Sequence, residues 1–244
     1  MYLPNYILNL QTNFDTSNVT SVQEMFNNIG ASSSTFILNL GDKFDTSKVT
    51  NMQGMFAYAG EKNTEFTLNL GDSFDTSNVT NMRQMFRGTG GKSINFNLNL
   101  PSKFNTSKVE NMIVMFQNVG YESVNFNLNL GDKFDTSNVT NMSQMLEWAG
   151  YNSTNFTLNL GDNFDTSNVT NMSYMFRDAG QKDPNFTLDL GSEFNVDSVT
   201  YMFDVFLRTG NANPSFKPTA TVKTQAEKDA ILSKFPNIEV IIAP

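Results

Sequence analysis

The 244-residue sequence predicts an α/β repeat solenoid: a parallel sheet of about seven strands on one side, short helices on the other, and a C-terminal cap. Three columns of identity predict it. Phe recurs at 14, 44, 74, 104, 134, 164 and 194, Val at 19, 49, 79, 109, 139, 169 and 199, and Gly at 30, 60, 90, 120, 150, 180 and 210. A fixed period with no slip marks a chain built from stacked supersecondary units, each too small to bury its own apolar face.

Each 30-residue unit reads in three parts. Phe66-Thr67-Leu68-Asn69-Leu70 alternates apolar and polar residues, the period-two pattern of a half-buried strand. Gly71-Asp72 turns the chain, and Phe74 is expected to point into the core. The Asp-Thr-Ser-Asn run at 75–78 is rich in residues that bond their own backbone in turns. From Val79 the spacing changes. Val79, Met82, Met85 and Phe86 fall at i, i+3, i+6 and i+7, which predicts one face of a short helix. Thr20/Gln23 and Thr50/Gln53 have capping-box spacing for its start, and Gly90 is placed to end it.

The repeats are assigned to 1–216 and the cap to 217–244, with a strand at Thr219–Lys223, a helix opened by the Thr224/Glu227 capping box and running to about Lys234, and a last strand over 238–242. The chain begins within a coil, Tyr6–Leu10 matching the strand. It carries neither a secretory signal nor a wall-anchoring signal, which suggests a processed chain or a piece of a longer protein.

Composition narrows the chemistry. A net charge of −8 disfavours nucleic acid and anionic membrane surfaces as partners, because both are bound through Lys and Arg. With no His and no Cys, the chain has no Ser–His–Asp or Cys–His system, no Cys/His zinc site and no disulfide. No apolar run is long enough to insert in a membrane. A column of equivalent carboxylates is also the opposite of the unequal pair that acid–base catalysis needs, so no enzymatic activity and no cofactor are expected.

The phrase F-D-T-S-N-V-T-N-M-x-x-M-F, present at Phe74–Phe86 and Phe164–Phe176, resembles the repeats of BspA-like leucine-rich-repeat bacterial surface proteins, and more closely the DUF285 repeat. The Thr224–Asp229 segment is similar to the cap of such arrays. The repeats here are a little longer, the extra residues following the glycine. The resemblance implies a leucine-rich-repeat-like solenoid, an extracellular or cell-surface location in a bacterium, and adhesion or host interaction. It implies no catalytic residues.

Three sets of side chains are candidates for function. Asp15, Asp45, Asp75, Asp135 and Asp165 form a column that could share calcium. The simpler reading is that each caps its own turn, since Asn105 and Asn195 keep the acceptor and lose the charge. On the outer strand face, Asn69, Asn99, Asn129 and Asn159 with Thr157 form a polar array able to meet a glycan or peptide, or to bond along itself. Tyr121 and Tyr151 share a column in adjacent repeats, with Trp148 three residues before Tyr151; such residues anchor interfaces, or pack over the loop layer. The combined expectation is a monomeric, non-catalytic adhesion module that recognises a protein or glycan on a host or neighbouring cell. A structural spacer presenting other domains is the competing expectation, with ice or crystal binding a distant third.

Overall fold

A computed structural model describes residues 3–10, 14–30 and 33–243; Met1 and Tyr2, residues 11–13 and 31–32, and Pro244 lie outside it. The chain is a parallel-strand β-solenoid. Strands β1 (Leu3–Asn9), β2 (Ser33–Asn39), β3 (Glu65–Asn69), β4 (Asn95–Asn99), β5 (Asn125–Asn129) and β6 (Asn155–Asn159) recur at the repeat period. They pair in parallel in strict 30-residue register, Phe36 opposite Phe66 and Phe96 opposite Phe126. In β3 and β4, alternate residues are buried and exposed, so Phe and Leu point in and Asn and Thr point out.

Two expectations need correction. The strands form two sheets, β1-β2-β3 and β4-β5-β6, rather than one sheet of seven. The seventh repeat's Phe186–Leu190 stretch makes only a single bridge, Asp189 to Thr219. Pro184, just before that stretch, brings no N–H to a ladder.

The second correction concerns the expected helices. Residues 83–90 and their counterparts are overlapping turns. In the third repeat the Met85, Arg87 and Thr89 N–H groups donate three residues back, to Met82, Gln84 and Phe86 carbonyls. The intervening N–H groups of Met82, Gln84, Phe86 and Gly88 instead donate to Asn111, Ile113, Met115 and Gln117 in the next coil, at 2.7–3.1 Å. The alternation places left-handed backbone at the third residue of the 82–85 and 86–89 turns, where Gln84 and Gly88 sit at φ 60° and 66°. The i→i−3 bonds place side chains at three-residue spacing, as a helix would, while half of the N–H groups tie one coil to the next.

Both sides of the stack are therefore hydrogen-bonded coil to coil. Ring spacing agrees: Phe36–Phe66 on the strand side lie 5.6 Å apart and Phe56–Phe86 on the turn side 5.5 Å. Helices, which pack 8–10 Å apart, could not keep that spacing. Between the two sides run continuous buried columns of Phe, Leu, Val and Met, with Phe74, Val79, Met82, Met85 and Phe86 fully buried.

The T-S-x-V corner is fastened by its polar atoms. The buried Thr46 hydroxyl donates to the Asp75 carbonyl and accepts from the Asp75 N–H, both at 2.7 Å, and Thr76 does the same with Asn105. Each Asp or Asn before it accepts the N–H two residues on: Ser17 donates to Asp15 at 2.9 Å, Ser47 to Asp45 at 2.8 Å and Ser107 to Asn105 at 2.9 Å. The backbone and side-chain bonds from Ser17 and Ser47 hold the Asp15 and Asp45 carboxyls below their ordinary pKa.

After the last repeat, β7 (Thr219–Val222), α1 (Gln225–Lys234) and β8 (Glu239–Ile242) follow in order. Strand β7 adds to the seventh repeat through Thr219 N–H to the Leu188 carbonyl, 2.9 Å, and Leu190 N–H to the Thr219 carbonyl, 2.8 Å. Thr224 and Glu227 close the capping box on α1. Ile231 is buried, and Phe235 packs edge-on against Phe206 at 5.3 Å.

Candidate binding face

The turn side carries the positions at which the repeats differ most, and there the structure has relief. Residues 28, 58, 118, 148, 178 and 208 all occupy left-handed backbone, so this column projects side chains from turns rather than from a helix. In the third repeat the column holds Gly88, and Gly91 stands where its neighbours have Glu61 and Tyr121. Two missing side chains open a notch of about 330 Å³, walled by Glu61, Lys92, Asn118, Tyr121, Glu122 and Trp148. A Cβ on Gly88 would meet the Tyr58 ring at 2.5 Å, so that ring lies directly over the glycine.

The notch has one stacked wall. Tyr121 and Tyr151 are parallel, 5.0 Å between centroids and 7° between planes. Burial, then the neighbouring Tyr151, Glu122 and Asp178, push the Tyr121 phenol above its ordinary pKa. Trp148 is fixed from behind: its indole N–H donates to Asp178 Oδ2 at 2.9 Å, and the Arg177 guanidinium lies 5.4 Å from its ring centre. Asp178 is fully buried and also accepts from Arg208 Nε at 2.7 Å and Gln181 Nε2 at 2.7 Å. Burial pushes the Asp178 carboxyl up, but the bonds from Arg208 and Trp148 and the charges of Arg208 and Arg177 outweigh it, and the net shift is downward. Beside it, fully buried Glu147 accepts from Gln117 at 2.5 Å, from Gln144 at 2.8 Å and from Arg177. These two buried carboxylates, with donors from neighbouring coils, hold the wall of the notch in place.

Sequence reasoning pointed to Tyr121, Tyr151 and Trp148, and the structure brings them together on one face. It passed over Gly88, Gly91, Glu147, Asp178, Arg177 and Arg208. The signal available was departure from the column: glycines inside R-G-T-G-G, and charge at Asp178 and Arg208 in a column that is neutral in every earlier repeat.

The Asn and Thr candidates lie elsewhere, on the strand side. Asn39 donates to Asn9 at 2.5 Å and Asn69 donates to Asn39, a short amide ladder. Asn129 and Asn159 instead accept the N–H of Gly131 and Gly161, at 3.2 and 3.0 Å, and cap the following turn. Asn99 is exposed and precedes Pro101 by two residues, so it meets no such N–H there. Thr157 borders a shallow groove across β4–β6 with Asn95, Asn97, Asn125, Asn127 and Asn155. No residue lines both this groove and the notch.

No curated protein and no solved structure matches the chain. A family described as "Mycoplasma protein of unknown function, DUF285" matches residues 5–120, 58–151 and 120–235. Those matches run over most of the repeat array and on through α1, so the chain belongs to the DUF285 family.

Proposed function

We propose that this chain is a non-catalytic binding module of a bacterial cell surface, and that it recognises a protein or glycan of a host or neighbouring cell through the notch on its turn side. The observation that carries this reading is the notch itself. An otherwise regular stack omits two side chains in one repeat, beside a Tyr pair and a Trp whose positions are secured by buried carboxylates. Pre-organised aromatic side chains around a concavity are what a recognition site needs, since little entropy is lost when the partner arrives. The buried carboxylates there, Glu147 and Asp178, are engaged by Arg and Gln, an arrangement suited to holding shape.

A spacer role is the second reading. It is supported by the uniform coil-to-coil bonding on both sides, which serves a rod as well as a receptor. An array of glycans and extracellular-matrix proteins separates the two, with wild type compared against Gly91→Gln. The backbone at Gly91 suits other residues, a Cβ there meets Glu61 at 3.3 Å, and the same column holds Gln181, so the variant is expected to fold with the notch filled. Binding lost on filling the notch supports the module. Binding retained would move recognition to another surface, and an array without hits would favour the spacer.

A further inference from the structure

We propose that the notch receives a single cationic side chain, the guanidinium or ammonium group of a basic segment on the partner. This rests on the notch being the binding site and adds the chemistry that it selects. Gly91 leaves an empty place in a column where Tyr121 and Tyr151 are stacked one coil apart. One face of Tyr121 is covered by Tyr151, and its other face looks across the position of Gly91 toward Glu61, two coils away, or about 10 Å at strand spacing. That gap admits one planar or compact group between an aromatic face and a carboxylate.

The polar atoms facing the gap are mostly acceptors. Glu61 and Glu122 contribute carboxylates to its lining. Arg and Lys heads are donors only, so they suit such a lining. The one cation in the notch, Lys92, lies 3.6 Å from Glu122 and is half exposed. It shows that a positive group is tolerated there, and it competes for the site.

The same face already contains the completed version of this arrangement. The Arg177 guanidinium sits 4.3 Å from the centre of the Tyr174 ring while it pairs with Glu147, and Arg87 lies 5.3 Å over Tyr58. Cation and aromatic face attract through the ring quadrupole. At the notch the ring and carboxylates are present, and the partner supplies the cation. A net charge of −8 draws a basic segment toward the surface.

Trp148 is the chain's single tryptophan and lines the notch, so its fluorescence reports occupancy. The test titrates the whole chain with acetyl-Gly-Arg-Gly-amide and with its citrulline analogue, which keeps the shape and removes the charge. The arginine peptide is expected to change the emission saturably and the citrulline peptide is not. Glu61→Gln should weaken binding about two- to fivefold, the worth of a solvent-facing ion pair. Lys92→Gln should tighten it by a similar factor. An equal response to citrulline, no response to arginine, or weaker binding in Lys92→Gln would overturn the proposal. A chitotriose arm keeps the two levels apart. If chitotriose alone perturbs Trp148 and Gly91→Gln abolishes that response, the notch is a binding site but takes a sugar. If array hits survive Gly91→Gln, the notch reading itself fails.

Discussion

The consensus letters Asp-Thr-Ser carry more of the fold than their polarity suggests. Thr76 is fully buried, and its hydroxyl serves both the carbonyl and the N–H of Asn105 in the next coil. Thr76→Val keeps the shape and strands both groups, so it is expected to cost about 1–3 kcal/mol in urea unfolding. Thr76→Ser should recover most of that. The Asp column was readable as turn caps from its Asn exceptions; the Thr ladder was not, because a buried hydroxyl's partner lies 29 residues away. Asp178 belongs to this scale as well. Its carboxyl is held below the ordinary 3.8, so its contribution is present above the unfolded-state value and lost as pH falls through the lowered folded value. Stability should therefore fall in acid below about pH 4. Asp178→Asn should be less stable at neutral pH and lose less on acidification, as thermal melts across pH would show.

Among elements, strands were legible and the turn side was not. Period-two alternation in F-T-L-N-L has one structural meaning, and β3–β6 lie on it, beginning and ending one residue earlier. Three-residue spacing has two, because overlapping turns and helices both close i→i−3 contacts. The discriminating evidence was glycine inside the supposed helix, Gly54 and Gly88, where a helix would lose about 1 kcal/mol per residue. Those glycines occupy left-handed columns that other repeats fill with Glu24, Tyr58 or Trp148. At exposed Glu24, φ 55°, the Gly variant should be more stable than the Ala variant by about 0.5–1 kcal/mol, because Ala bears the left-handed cost. A helix would give the reverse order. The capping box of α1, in contrast, was legible in full, since Thr224 and Glu227 act within one turn.

At the scale of the molecule, stacking converts a 30-residue phrase into continuous columns, and small departures from the phrase become features. The aromatic cluster could be found in the sequence because Tyr121 and Tyr151 share a column. The notch left a fainter trace, two glycines departing from their columns, because it is made by what Gly88 and Gly91 lack. Its walls also depend on turns that project Asn118 and Trp148 from left-handed backbone. The notch therefore rests on a turn ladder, bonded coil to coil, in place of helices. Far-UV circular dichroism of the folded chain tests that most directly. The ten-residue α1 is the one α-helix among the described residues, so a weak helical signal over a dominant β and turn spectrum is predicted. A strong 222 nm minimum, matching a short helix in every repeat, would contradict the turn ladder and the notch built on it.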